Sequence, residues 1–272
     1  MFDPYLSLWN LTPDGEPFTT PGARLLRVRR HDGAPAMLKI GTEAEEKLGH
    51  VLMRWWDGRG AARVLEQAHD ALLLERATGT RSLAAWARGG RDDEATRILC
   101  DVLETLHAPR TKPLPAALLP LQEWFVQLGP TALAHGGMLT RAYATSQELL
   151  ADPRDIVTLH GDIHHDNVLD FGPERGWLAI DPKRLLGERG FDYANIFCNP
   201  DLDNRNPPVG VLQNRFLARL GIVSTQARLE RGRLLRWILA WCGLSAAWFI
   251  EDGDDWPIER RVMELAIAEL DR

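Results

Sequence analysis

A chain of 272 residues is long enough for a substantial core and fits one to two domains. With 45% hydrophobic and 26% charged residues it has the balance of an ordered globular protein and not that of a disordered tail. A formal net charge of −6 argues against a nucleic-acid surface and favours a cationic partner, and residues 78–272 hold a net −5 of it. Cys100, Cys198 and Cys242 are scattered without paired spacing, which suits a reducing compartment better than a disulfide framework. The N-terminus lacks the basic start and apolar stretch of a signal peptide. The longest apolar run, Trp237–Ile250, has 14 residues, short of a bilayer crossing. A cytoplasmic, monomeric protein with no membrane or nucleic-acid partner is the expectation.

In chain order, Tyr5–Leu11 reads as a strand, and residues 12–22 as a loop by their Pro, Gly and Thr content. Leu25–Arg30 and Pro35–Ile40, joined by the turn His31-Asp32-Gly33, form a hairpin. Lys39 emerges near the end of its apolar second strand, and pairing with nucleotide phosphates is a reason for an ammonium there. Thr42 caps a helix whose first turns hold Glu43, Glu45 and Glu46, placed for the positive end of the macrodipole. Glu46 is the residue expected to reach Lys39. A second hairpin, Ala61–Glu66 with Ala71–Leu74, runs into the polar segment Glu75-Arg76-Ala77-Thr78-Gly79, where the backbones of Glu75 and Ala77 are expected to bind an adenine. Helical periodicity then takes over, over 83–88, 92–106, 121–128 and 131–150. Prolines at 109, 113, 115 and 120 break the chain between them. Further helices are expected near 191–198, 209–220, 225–250 and 257–270.

The most informative stretch is His160-Gly161-Asp162-Ile163-His164-His165-Asp166-Asn167, with Asp181 ending a later apolar run. Val157-Thr158-Leu159 reads as the incoming strand. Val168–Phe171, the turn Gly172-Pro173 and Trp177–Ile180 read as a hairpin that returns Asp181 to the cleft. An aspartate, an asparagine five places on and a second aspartate after a hairpin resemble the arrangement of kinase-like phosphotransferases. In that arrangement Asp162 takes the proton of the attacking hydroxyl, and Asn167 and Asp181 hold Mg²⁺ on the triphosphate of ATP. A competing reading takes His160, Asp162, His164, His165 and Asp166 as the ligand cluster of a metal-dependent hydrolase. It lacks support elsewhere, because His31, His50, His69, His107 and His135 stand in no ligand-like pairing.

With these pieces placed, the chain resembles the aminoglycoside phosphotransferases. Carrying the resemblance are His160-Gly161-Asp162 to Asn167, Ile180-Asp181-Pro182, Gly187-Glu188 and Phe191-Asp192-Tyr193-Ala194. Trp56–Leu65, Leu114–Pro120 and Cys242–Trp248 point to the branch of streptomycin 6-kinases and hydroxyurea phosphotransferases. The resemblance implies a protein-kinase-like bilobal α+β fold, with a strand-rich nucleotide-binding N-lobe over 1–77. A helical C-lobe over 78–272 would carry the catalytic loop and the acceptor site. It further implies that His160 and Asp192 support the loop. Two departures stand out: no Gly-x-Gly-x-x-Gly loop is present, only Gly15 and Gly22 with Thr19 and Thr20, and Glu188 replaces an aspartate.

The function implied is ATP- and Mg²⁺-dependent phosphorylation of an aminoglycoside, streptomycin at its 6-hydroxyl, with antibiotic resistance as the outcome. Alternatives are a kinase of hydroxyurea or another small hydroxyl compound, and a non-catalytic nucleotide-binding pseudokinase. Streptomycin carries guanidinium groups and a secondary amine, so an acidic pocket is expected. Asp201, Asp203, Glu251, Asp252, Asp254 and Asp255 are the candidate carboxylates for it.

Overall fold

The computed structural model describes residues 1–20, 22–42, 48–202 and 206–272. The chain opens on a helix, Asp3–Leu8, where the sequence predicts a strand over Tyr5–Leu11. Helical spacing is what brings Tyr5 against Trp9 (ring centroids 5.6 Å apart), and it packs Phe2, Tyr5, Leu6 and Trp9 together on Leu26 and Val28. A strand would send alternate members of that set to opposite faces.

Six antiparallel strands follow: β1 (Thr12–Pro13), β2 (Phe18–Thr20), β3 (Ala23–Arg29), β4 (Pro35–Gly41), β5 (Val64–Ala68) and β6 (Ala71–Glu75). They run in the order β1-β3-β4-β6-β5, with β2 also paired to β3. The segment 12–22, expected as loop throughout, thus contributes two short edge strands. The β3–β4 hairpin sets Leu25 opposite Lys39 and Leu26 opposite Leu38. Side chains alternate across a sheet, so Ala36 and Leu38 join Leu26, Val28 and Leu73 in one core. Met37 and Lys39 then face the other side, toward the second half of the chain. There Leu72 and Leu74 pack with Phe171 and Leu178 of a later hairpin. Of the helix expected after Thr42, the structure describes His50–Trp56, and Glu43, Glu45 and Glu46 lie outside the described residues.

Helices dominate from Leu83 onward. The expected 83–88 helix runs to Trp86 and opens into a wide turn over Ala87–Arg91, where Gly90 takes φ +89° before the helix Asp92–His107. The single helix expected over 131–150 is two, Leu128–His135 and Gly137–Ala151, because Gly136 and Gly137 both take positive φ. The helix expected from 225 begins at Arg231, where the Glu230 carboxylate caps it by accepting from the N–H groups of Gly232 (2.6 Å) and Arg233 (2.7 Å).

That helix, Arg231–Asp252, has 22 residues and is long and apolar enough to cross a membrane by length and composition alone. The 14-residue limit read from the sequence was therefore no measure of it. Its apolar surface is used inside the protein. Trp237, Ile238, Leu239, Ala240 and Cys242 are buried against Gly137–Ala151, Gly190–Ala194 and Pro257–Leu270. Where it crosses Gly137–Ala151, a Cβ at Gly243 would sit 2.5 Å from that of Ala142, so glycine sets the approach.

Candidate active site

The incoming strand Ile156–Leu159 delivers the loop His160–Asn167, and the hairpin Val168–Asp170 with Trp177–Ala179 follows at once. Val168 pairs with Ala179, and the Ile180 N–H donates to the Asn167 carbonyl at 2.9 Å. Asn167 and Asp181 are thus held side by side at the open end of the hairpin, though fourteen residues separate them in sequence. Asp181 takes φ +58°, a left-handed conformation that aspartate tolerates better than most residues.

The loop is fixed from below by one buried carboxylate. Asp192, on the short helix Gly190–Ala194, accepts from the backbone N–H of His160 (2.8 Å) and of Gly161 (2.7 Å). It also accepts from His107 Nε2 at 2.8 Å. Gly161 sits at φ +85°, and a Cβ there would come within 2.9 Å of Lys183 and Leu185, so only glycine fits. His160 donates from Nε2 to the Ile180 carbonyl (2.7 Å), and its Nδ1 accepts from the Asp162 N–H (3.2 Å). Burial holds this imidazole below its ordinary pKa, consistent with the neutral tautomer that these two bonds require.

Asp162 stands at the top of the loop, its carboxylate about one-third exposed (35%). Oδ2 accepts from Asn167 Nδ2 at 3.2 Å, and the same amide donates to the Asp162 carbonyl at 2.8 Å. Oδ1 accepts from Asn195 Nδ2 at 3.0 Å. Across the cleft, Lys39 Nζ meets Asp181 Oδ1 at 2.6 Å.

Two cavities meet at this loop. The larger, about 860 Å³, lies between the sheet and the hairpin. Lys39, Asn167 and Asp181 line its polar end, and Met37, Leu74, Leu169 and Ile180 form apolar walls. Glu75 and Ala77 border it as well. The Glu75 carboxylate is engaged elsewhere, accepting from Arg175 Nε at 2.8 Å and from the Arg63 N–H at 3.2 Å. Burial pushes that carboxyl upward, and these donors outweigh it, leaving it below the usual range. Phe18 and Thr20 of β2 line the cavity as well.

The smaller cavity, about 420 Å³, opens on the other side of Asp162 and is walled by Trp124, Trp241, Trp248, Lys183, Glu251 and Asp252. Of the candidate acceptor carboxylates, Glu251 and Asp252 are brought here. Asp201 is not. It is fully buried and accepts from the N–H groups of Val209 (2.9 Å) and Val211 (3.2 Å), so it closes a loop and cannot meet a ligand. Asp254 and Asp255 lie past the helix end, where Asp255 accepts from the Trp256 N–H at 2.9 Å, and neither lines the cavity. Asp203 lies outside the described residues. Glu188, the departure from the family aspartate, is buried with Arg233 Nε at 2.7 Å and Trp237 Nε1 at 2.7 Å, a structural ion pair away from both cavities.

The histidine-rich loop does not converge on a point. Both ring nitrogens of His160 are taken by backbone groups of Ile180 and Asp162, and the His164 Nδ1 accepts from the Asp166 N–H at 3.3 Å. Among the described residues no group of three or more His, Cys, Asp or Glu side chains is placed to hold a metal in the hydrolase manner. Mg²⁺ with a nucleotide asks for less, namely one or two protein oxygens beside the phosphates. The Asp181 carboxylate and the Asn167 side-chain oxygen are donors of that kind, and both residues line the larger cavity.

Sequence reasoning missed Asn195, His107 and the three tryptophans. Asn195 lies three places after Asp192, one helical turn, and that spacing is the signal by which it was discoverable. The tryptophans carry no such signal, since Trp124 is remote in sequence and Trp241 and Trp248 read as core.

The fold is that of the protein-kinase-like small-molecule kinases. The choline kinase of Streptococcus pneumoniae superposes with a TM-score of 0.62 at 13% identity, over 99% of this chain and 97% of that one. The family model for aminoglycoside/hydroxyurea antibiotic resistance kinases matches residues 8–253, and the chain belongs to that family. Streptomycin 3''-kinase from Klebsiella pneumoniae is 56% identical over 90% of this chain and 91% of its own length. Streptomycin 6-kinase from Streptomyces griseus is 33% identical over 90% of this chain and 80% of that protein. The chain is an enzyme, a phosphotransferase with a hydroxyl as acceptor.

Proposed function

We propose that the chain transfers the γ-phosphoryl group of ATP to streptomycin, and to its 3''-hydroxyl in preference to the 6-hydroxyl expected from the sequence. The observation that carries the phosphotransfer is the position of the loop between two cavities. Asn167 and Asp181 border one with Lys39, and Asp162 borders the other with Glu251 and Asp252. The choice of hydroxyl rests on identity, 56% to a 3''-kinase against 33% to a 6-kinase, each over nine-tenths of this chain.

In this reading the adenine lies between Met37 and Leu169, against the backbone of Glu75–Ala77, and Lys39 binds the phosphates. Asn167 and Asp181 hold Mg²⁺, which neutralises charge on the triphosphate. Asp162 orients the acceptor hydroxyl and takes its proton. The hydroxyl oxygen bonds to the γ-phosphorus as the bond to the β–γ bridging oxygen breaks, and ADP leaves. Glu251 and Asp252 attract the cationic acceptor, while Asp192 and His160 hold the loop rigid. Residues 1–77 form the nucleotide lobe and 78–272 the acceptor lobe of a cytoplasmic monomer that needs no membrane or nucleic acid. Resistance to streptomycin is the physiological outcome.

The test is ADP release with streptomycin and with hydroxyurea, followed by NMR assignment of the phosphorylated carbon. Phosphate on C3'' supports the reading. Phosphate on C6 corrects the regiochemistry, and turnover of hydroxyurea alone overturns the acceptor.

A further inference from the structure

The wall of the smaller cavity has a composition that the phosphotransfer chemistry does not require. Trp241, Trp248, Glu251 and Asp252 lie along one face of the helix Arg231–Asp252: Trp248 is seven residues after Trp241, and Glu251 and Asp252 are three and four after Trp248. Trp124 comes from a separate element and meets Trp248 edge to face, ring centroids 5.4 Å apart at 71°. Two indoles at near right angles make a corner, and two carboxylates stand one turn beyond it. Counting Asp162, three carboxylates oppose the ammonium of Lys183 among the described residues that line the cavity. The C-terminal end of the helix macrodipole adds negative potential at the same point.

Indole corners with adjacent carboxylates receive alkylated ammonium ions, because the π-faces attract the charge and shed little hydration around the methyl groups. A bare primary ammonium gains less from such a wall, being more strongly hydrated. On streptomycin the 3''-hydroxyl stands on the carbon next to the one that bears the N-methylammonium group. The cavity shares its wall with Asp162, so a hydroxyl at Asp162 brings that neighbouring cation to the indoles.

We infer that Trp124, Trp241 and Trp248 with Glu251 and Asp252 form a subsite for the N-methylammonium of the reacting sugar, and that this subsite selects the hydroxyl to be phosphorylated. The inference rests on the proposed streptomycin activity and deepens it. The streptidine guanidiniums then lie toward the open side of the cavity.

Steady-state kinetics on the full-length protein test it, with streptomycin, its N-acetyl derivative (neutral at that nitrogen) and an analogue carrying a carbamate in place of one guanidinium. Trp248→Leu should raise KM for streptomycin about two- to thirtyfold, the range of a cation–π contact, with KM for ATP unchanged. Trp248→Phe should recover part of the loss. N-acetylation should cost more than tenfold in kcat/KM for the native enzyme and much less for a Trp248→Leu/Glu251→Gln variant, because the acetyl group removes what that variant no longer uses. The carbamate analogue should lose less than the N-acetyl one. A penalty for N-acetylation that is the same in both enzymes overturns the subsite, as does a larger loss for the carbamate, which would assign the wall to guanidinium. No phosphorylation of streptomycin by the native enzyme would sink the proposed function itself, a separate outcome.

Discussion

The side-chain amide of Asn195 donates to Asp162 Oδ1 at 3.0 Å, and its orientation is set by Asn199, whose Nδ2 donates to the Asn195 Oδ1 at 2.7 Å. With its oxygen so engaged, Asn195 can turn only its N–H toward the catalytic loop. Asn199 is held in turn through its carbonyl by Arg219 Nη1 at 2.6 Å, and Arg219 is paired with the buried Asp92 at 2.6 Å. A chain of hydrogen bonds therefore runs from the core to the Asp162 carboxylate, which lines the smaller cavity.

Loss of this positioning should appear in turnover and spare nucleotide binding. Asn195→Ala should lower kcat roughly tenfold to hundredfold, part of what a positioned general base contributes, with KM for ATP near native. Asn195→Asp should be worse, since it sets a second carboxylate at hydrogen-bond distance. ADP-release kinetics decide it. An equal fall in ATP affinity would mean that Asn195 supports the fold and not the chemistry.

The Lys39–Asp181 pair predicts a different split. Asp181→Asn should abolish turnover and leave the thermal midpoint within a few degrees of native, because its carboxylate is one-third exposed (33%). Lys39→Ala should raise KM for ATP as well as lower kcat. A chelator should remove activity and Mg²⁺ restore it. Activity that persists through exhaustive chelation would rule out metal ligation by Asn167 and Asp181.

Glu188 should matter for stability alone. Its carboxylate is buried and takes hydrogen bonds from Arg233, Trp237 and the Arg154 N–H. Arg233→Ala would leave that charge uncompensated, at a cost of about 3–5 kcal/mol, or roughly 6–20 °C in Tm for a protein of this size. Differential scanning calorimetry measures it. A drop under 2 °C would be inconsistent with a paired, buried charge.

Asp170 gives the acid limb of stability. Hydrogen bonds from Arg81, at 2.7 Å to each oxygen, hold its carboxyl well below the usual carboxylate range. A carboxyl depressed in the folded state contributes stability that is complete above its unfolded pKa of about 4 and drains as pH falls below it. The stability difference between native protein and Asp170→Asn should be constant from pH 7 to about pH 4.5 and shrink toward pH 2, as read from denaturant midpoints. A difference independent of pH in that window would remove the charge from the explanation.

The local chemistry could be read early because it is local. The loop and hairpin from Val157 to Asp181 involve neighbours in sequence, so strand periodicity and turn residues were enough to set Asn167 beside Asp181. The β3–β4 hairpin, and with it the place of Lys39 near the end of its second strand, was legible for the same reason. Periodicity failed where a short apolar run fits either strand or helix. Tyr5–Leu11 is such a run, yet Tyr5 and Trp9 are one helical turn apart, and burial against Leu26 and Val28 decided for helix. It failed again at Gly136-Gly137, where positive φ at consecutive glycines divides a stretch whose apolar pattern runs on unbroken.

What the sequence determined unaided was the family and the course of the loop and hairpin from Val157 to Asp181, since both lie in short runs of characteristic residue types and spacing. What the tertiary structure decided was the use of each remote side chain. Asp201 and Glu251 are equally acidic in the sequence. One accepts two backbone N–H groups in the interior, and the other lines a cavity beside Asp162. Trp241 and Trp248 likewise read as core, and Trp124 joins them only because two separate elements pack there. Packing partners come from elements as far apart as those of Trp124 and Trp248, and periodicity does not report which of them will meet.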